Sequence, residues 1–182
     1  MRVNRRGIII DNKLYTGSGG VAGELGHMTI DSNGAICGCG SRGCLEAVAS
    51  KTGIQAEIKA RIKRGEDTDI KESLEKEGIL KSGPLRAAYD KGDIVVRETV
   101  ERAAKYLGVG VANLINIFDP EAVVFGGGVI EELGDIILPI VKEEASRYAM
   151  RSIFENVKFE KAQLGDDAGI MGAFVLAQEG VK

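Results

Sequence analysis

The chain has no tryptophan, a single histidine, three cysteines and three prolines among its 182 residues. Three cysteines are too few, and odd in number, for the disulfide framework of a small secreted domain. So few prolines exclude a low-complexity Pro/Gly chain. Charge of one sign is missing as well. Lys and Arg number 24 against 27 Asp and Glu, a formal net charge of −3. That is not the electrostatic footprint of a protein that holds nucleic acid or an anionic membrane. Long apolar runs are also absent. The longest uncharged stretch, Tyr106 to Phe118, is 13 residues, and crossing a bilayer takes about 20. Gly7-Ile8-Ile9-Ile10, after the basic stretch from Met1 to Arg6, is too short for the apolar region of a signal peptide. These absences read as a cytoplasmic protein with no membrane partner.

Apolar residues make up 44% and charged residues 28%, enough for the core of one globular domain spanning residues 1–182. Glycine is the excess, with 25 residues, about twice the usual share. Such use of glycine points to tight turns and close backbone approach.

Along the chain, Ile8-Ile9-Ile10, Asp11-Asn12 and Lys13-Leu14-Tyr15 read as strand, two-residue turn and strand. His27 to Ile30 reads as a short strand, and Asp31 to Gly43 as a loop. Helices are expected from Leu45 to Ser50 and from Thr52 to Lys63. Arg64 to Ser82 is the most charged stretch, read as a solvated excursion with one short helix near Ile70 to Lys76. A helix starting at Pro84 runs to Tyr89. Asp93 suits the cap of a long helix ending at Phe118. Its second half is apolar all round, with Gly108 and Gly110 allowing close packing. Ala122 to Phe125 is a buried strand, followed at once by Gly126-Gly127-Gly128. A helical region from Ile130 to Ala149, broken at Pro139, a strand at Val157 to Phe159 and an apolar helix from Ala168 to Gln178 complete an α/β pattern.

His27, Cys37, Cys39 and Cys44 are the only histidine and all the cysteines, spaced H-x9-C-x-C-x4-C. Three thiolates and one imidazole make a closed tetrahedral zinc set, the form of a structural site. Gly38, Gly40 and Gly43 let the backbone wrap a metal. Glu24 and Glu46 flank the set. Carboxylates accept hydrogen bonds from neighbouring hydroxyls, and a metal-bound imidazole offers its other N–H. That is the chemistry of sugar recognition; plain surface charge is the alternative for the two glutamates.

Glu24-Leu25-Gly26-His27-Met28 followed by Cys37-Gly38-Cys39-Gly40-Ser41-Arg42-Gly43-Cys44-Leu45-Glu46 resembles the signature of the ROK family of bacterial sugar kinases and sugar-responsive repressors. The resemblance continues through Leu107 to Asn116, Asp119-Pro120-Glu121, Phe125 to Gly128 and Asp167 to Ala173. It implies an actin-like ATPase fold of the ribonuclease H kind, here one lobe with a zinc-binding loop. It implies zinc on His27, Cys37, Cys39 and Cys44, and sugar hydroxyls on Glu24, His27 and Glu46. Gly126, Gly127 and Gly128 would border the adenosine of ATP, which acts with Mg2+.

Kinases of the family are longer than this chain. Their first lobe carries a phosphate-binding turn and the catalytic aspartate, and neither has a matching motif here; of the turn, only Gly7 matches. No catalytic residue is assigned, and the chain alone, lacking the catalytic aspartate, is expected to be a poor kinase or none. The function expected is the sugar-binding lobe of an ATP-dependent hexose kinase, glucose being the best substrate. The alternative is the effector-binding part of a regulator. Such regulators bind DNA by a helix-turn-helix, which has no counterpart in this sequence, so no nucleic-acid partner is expected through this chain. The apolar final helix predicts a homo-oligomer.

Overall fold

The computed structural model describes residues 7–178, and the Met1–Arg6 stretch read as an altered phosphate turn lies outside them. Strands β1 (Ile9–Ile10) and β2 (Lys13–Leu14) form an antiparallel hairpin with Ile9 opposite Leu14. Its turn residues Asp11 and Asn12 both take positive φ, 52° and 58°, as a tight two-residue hairpin turn requires. The stretch read as a strand from His27 differs. Leu25–His27 is a 3-10 turn, and only Thr29 makes a bridge, to Cys44. Gly26 is buried in that turn, and the chain needs the bend to swing His27 over the cysteines.

Helices α1 (Leu45–Ala49) and α2 (Lys51–Lys63) follow. They meet tightly: the Ser50 hydroxyl accepts from the Gly53 N–H at 3.0 Å, and a Cβ on Gly53 would lie 2.5 Å from the Ala47 carbonyl oxygen. Most of the stretch from Arg64 to Ser82 is exposed, as expected, and its one short helix falls where it was expected, but the stretch is also pinned to the core. Ile70, Leu74 and Leu80 are each 3% exposed, Leu74 on helix α3 (Lys71–Glu77). Burying an aliphatic side chain contributes about 1.5–3 kcal/mol, which outweighs the pull of the surrounding charges toward water. Helix α4 begins at Ser82, two residues before Pro84, and ends at Lys91, where Gly92 turns left-handed at φ 89°.

Helix α5 (Ile94–Phe118) is the axis of the fold. Asp93 caps it, accepting from the Val96 N–H at 3.0 Å, while its other oxygen accepts from the Thr68 hydroxyl and the Asp69 N–H, each at 2.7 Å. Asp119, at φ 43°, and Pro120 stop it. Strand β3 (Ala122–Phe125) then leads into helix α6 (Gly128–Tyr148), which returns along α5. The two helices share the core through Val100, Ala104, Val111 and Ile115 on one side and Leu133, Ile137, Val141 and Ala145 on the other. Gly108 lets them close: its Cβ would lie 2.6 Å from that of Glu144. Helix α6 runs unbroken through Pro139, with Ile137 and Val141 buried on either side of the proline. After helix α7 (Arg151–Phe154), strand β4 (Lys158–Lys161) pairs parallel to β3, with Phe125 opposite Lys161.

Helix α8 (Ala168–Gln178) closes the described residues. Its Ile170, Met171, Phe174 and Val175 are exposed. The whole is a mixed helix–strand fold. No helix among the described residues is long and apolar enough to cross a membrane.

Candidate metal centre and sugar site

The cysteine loop is built as a knuckle. Ile36 bridges Arg42, the Cys37 N–H donates to the Ser41 carbonyl at 2.7 Å, and the Gly40 N–H donates back to the Cys37 carbonyl at 2.9 Å. This turn presents Cys37 and Cys39 side by side. The chain then returns through Gly43, whose carbonyl accepts from the Ile30 N–H at 2.9 Å, and Cys44 crosses beneath Thr29. Met28 receives the Leu45 N–H at 3.0 Å, so the histidine turn and the start of α1 are sewn together.

The result gathers all four predicted ligands. The donor atoms of His27, Cys37, Cys39 and Cys44 lie within 4.8 Å of one another. Cys37 Sγ is 3.7 Å from His27 Nδ1, and Cys39 Sγ is 3.7 Å from Cys44 Sγ. A tetrahedral zinc with bonds of about 2.1–2.3 Å holds its ligands about 3.3–3.8 Å apart, so the donor set fits that metal in kind, and these two pairs fit it in spacing. Cys37 and Cys44 are buried and Cys39 is exposed. The Ser41 N–H and hydroxyl pull the Cys39 thiol down to about 7, whereas burial pushes the Cys44 thiol up to about 12.

The other nitrogen of the same ring looks outward. His27 Nε2 lies 3.6 Å from Glu24 Oε2 and 3.9 Å from Glu46 Oε2. Glu24 is held one turn before the histidine, and Glu46 is on the first turn of α1. All three predicted sugar-site residues therefore meet at one open surface, two carboxylates facing one imidazole nitrogen.

Helix α5 backs this assembly through residues with no local signal in the sequence. The Tyr106 hydroxyl bonds Asp31 at 3.4 Å, and the Asn113 amide reaches Met28 Sδ at 3.7 Å, across 75 and 85 residues of chain. Gly110 faces Leu45, whose side chain would stand 2.7 Å from a Cβ there.

The glycine triplet follows directly at the carboxyl end of β3. Gly127 takes φ 95°, with nothing within 4 Å of where its Cβ would be. Gly126 packs against Ala162, whose N–H donates to the Phe125 carbonyl at 2.7 Å. Helix α6 starts at Gly128 with its first N–H groups free of intrahelical partners, an arrangement that favours anions. The carboxyl end of a parallel strand is where α/β folds place nucleotides.

The chain belongs to the ROK family, whose profile matches residues 6–180. It is 36% identical to a glucokinase of Halalkalibacterium halodurans over 174 residues, covering 95% of this chain and 52% of that protein. It is 37% identical to a xylose repressor of Caldicellulosiruptor bescii over 171 residues, covering 93% of this chain and 42% of the repressor. Among solved structures, the ROK family glucokinase of Streptomyces griseus in complex with glucose and AMPPNP matches with a TM-score of 0.76 at 34% identity. That match covers 95% of this chain and 56% of the other. The chain thus spans about half the length of the relatives it matches, which include both kinases and repressors.

Proposed function

We propose that this chain is the sugar-binding, zinc-containing part of an ATP-dependent hexose kinase of the glucokinase type, with glucose as the hexose. The observation that carries the reading is the divided role of His27: Nδ1 lies among the thiols and Nε2 lies between Glu24 and Glu46. Zinc on His27, Cys37, Cys39 and Cys44 would serve as a structural anchor, since four protein ligands leave no open position. With Nδ1 engaged, the ring keeps its proton on Nε2 and donates it outward. Glu24 and Glu46 accept from adjacent sugar hydroxyls, each charge-assisted bond contributing about 1.5–3 kcal/mol.

Gly126, Gly127 and Gly128 border ATP, which is used with Mg2+. The bare backbone at Gly127 admits the nucleotide closely, and the start of α6 favours its negative charge. Phosphoryl transfer rests on positioning the two substrates, and this chain supplies one face of that arrangement within an actin-like ATPase fold. The general base is not assigned to any of its residues. The protein acts in the cytoplasm as a homo-oligomer, without nucleic acid or membrane as a partner of this chain.

The similarity to a xylose repressor favours a second reading, the effector-binding part of a sugar-responsive regulator. Sugar recognition is common to both. Calorimetry with the zinc-loaded chain tests it: glucose gives saturable heat with an affinity that Glu46→Gln lowers, and no heat with glucose or xylose overturns both readings. A coupled ADP assay separates the two, run with and without the first half of a related glucokinase added in trans. Turnover of glucose supports the kinase; sugar binding without turnover in either mixture favours the regulator.

A further inference from the structure

We propose that Cys39 and Cys44 are a peroxide-reactive thiol pair whose oxidation dismantles the metal centre and loosens the sugar site. The inference rests on the zinc reading above and on three observations. The three thiols are unequal: Cys39 is exposed, while Cys37 and Cys44 are buried. Cys39 Sγ lies 3.7 Å from Cys44 Sγ; Cys37, which also neighbours both, has His27 Nδ1 as a further partner at 3.7 Å. Finally, the tip of the loop has room. Gly38 and Gly40 on either side of Cys39 have nothing within 4 Å of a Cβ position, and Gly40 already turns left-handed at φ 92°. A disulfide has its sulfurs about 2.05 Å apart. Closing from 3.7 Å therefore asks the two sulfurs to approach by about 1.7 Å, at a loop tip whose flanking glycines meet no neighbour.

Metal-site thiols are held as thiolates, and the thiolate is the nucleophile. Cys39 Sγ attacks hydrogen peroxide: an S–O bond forms, the O–O bond breaks, and hydroxide leaves and takes a proton to become water. Cys39 is then a sulfenic acid. Cys44 Sγ attacks that sulfur, the S–S bond forms, the S–O bond breaks and a second water leaves. Two electrons pass from the two sulfurs to one peroxide. Two ligands are lost to the metal at once, and His27 loses the anchor that aims Nε2 between Glu24 and Glu46.

The zinc-loaded full chain is treated with hydrogen peroxide up to tenfold excess, with a chromogenic chelator to read free zinc and mass spectrometry to read the thiols. The expected result is one equivalent of zinc released, a mass loss of about 2 Da and a peptide pair joined through Cys39 and Cys44. Dithiothreitol with added zinc reverses all three. Dimedone added during the reaction labels Cys39 first. A disulfide through Cys37, a first label on Cys37 or Cys44, or three thiols still free at tenfold excess overturns the proposal. A chain that takes up no zinc overturns the metal reading instead, and the same peptide map on that chain still decides the thiol pair.

Discussion

A Cβ at Gly43 would lie 1.7 Å from the carbonyl oxygen of Asp31, and Gly43 itself sits at φ 75°. Two strand-like segments of the metal loop cross there, Ile30 and Asp31 on one side and Gly43 on the other, joined by hydrogen bonds to the Gly43 carbonyl at 2.9 and 3.3 Å. Cys44 is the next residue. Gly43→Ala is therefore expected to force the crossing apart, at a cost of about 3 kcal/mol from backbone strain and overlap together. Thermal unfolding and zinc content read it: a lower melting temperature with less than one equivalent of bound zinc is expected, against Gly38→Ala, which meets no neighbour within 4 Å.

The carboxylates separate from the fold. Glu24→Gln and Glu46→Gln preserve size and remove the charge that strengthens acceptance from a hydroxyl. Each is expected to weaken sugar binding about tenfold or more, in line with about 1.5–3 kcal/mol per bond, with zinc retained. Calorimetry with parallel metal analysis checks both halves. Unchanged affinity in both variants returns these glutamates to ordinary surface charge.

Asp93 predicts a pH dependence. Burial pushes its carboxyl up, but hydrogen bonds from Thr68, from the N–H groups of Val96 and Asp69, and from that of Val95 outweigh this and hold it below its usual 3.8. A lowered acid is ionised more readily in the folded than in the unfolded chain. Its contribution is complete above pH 3.8 and fades as pH falls through the lower folded value. Asp93→Ala is expected to cost about 1–2 kcal/mol near neutral pH, typical of a lost helix cap. Denaturant melts at pH 7 and pH 3 should show the gap between wild type and variant shrinking at the acid end.

Helix α8 predicts association. Ile170 and Phe174 stand one turn apart, exposed to 72% and 56%, with Met171 and Val175 beside them. An apolar stripe of this kind favours association, and a second copy is the proposed cover. Light scattering is expected to give more than the 19.4 kDa of one chain, and Phe174→Asp to move the value toward it. A wild-type chain that stays monomeric at high concentration, with no binding of a dye for apolar surface, removes the prediction.

The clustering of the candidate metal ligands was legible because their chemistry is scarce: every histidine and cysteine of the chain falls between His27 and Cys44. The Asp93 cap and the Asp11-Asn12 turn were legible because their rules are local. The anchoring of the stretch between Arg64 and Ser82 to the core was not. Its apolar residues Ile70, Leu74 and Leu80 are sparse among charges, and its tether, Thr68 to Asp93, joins positions 25 apart. The 3-10 turn at Leu25–His27 was hidden for a similar reason: Met28-Thr29-Ile30 has a strand's residues, but the bend before it is dictated by where the cysteines lie. Tyr106 and Asn113 could be found only from the fold, since their partners lie across most of the domain.

Helix α5 has 25 residues, about 37 Å at 1.5 Å per residue. Tyr106, Gly110 and Asn113 on it hold the cysteine loop and α1, while its far end delivers the chain into β3 and the glycine turn. The helix is therefore a gauge as well as a support. One residue inserted between Asn113 and Phe118 would advance its end by about 1.5 Å and swing it through about 100°. The glycine turn would then leave the bearing it has toward the metal loop, though no residue of either had changed. Length variation in this chain belongs in its outer turns, such as the left-handed Gly65 and Gly78 bends with open space around them. Along α5 the count of residues is itself part of the design.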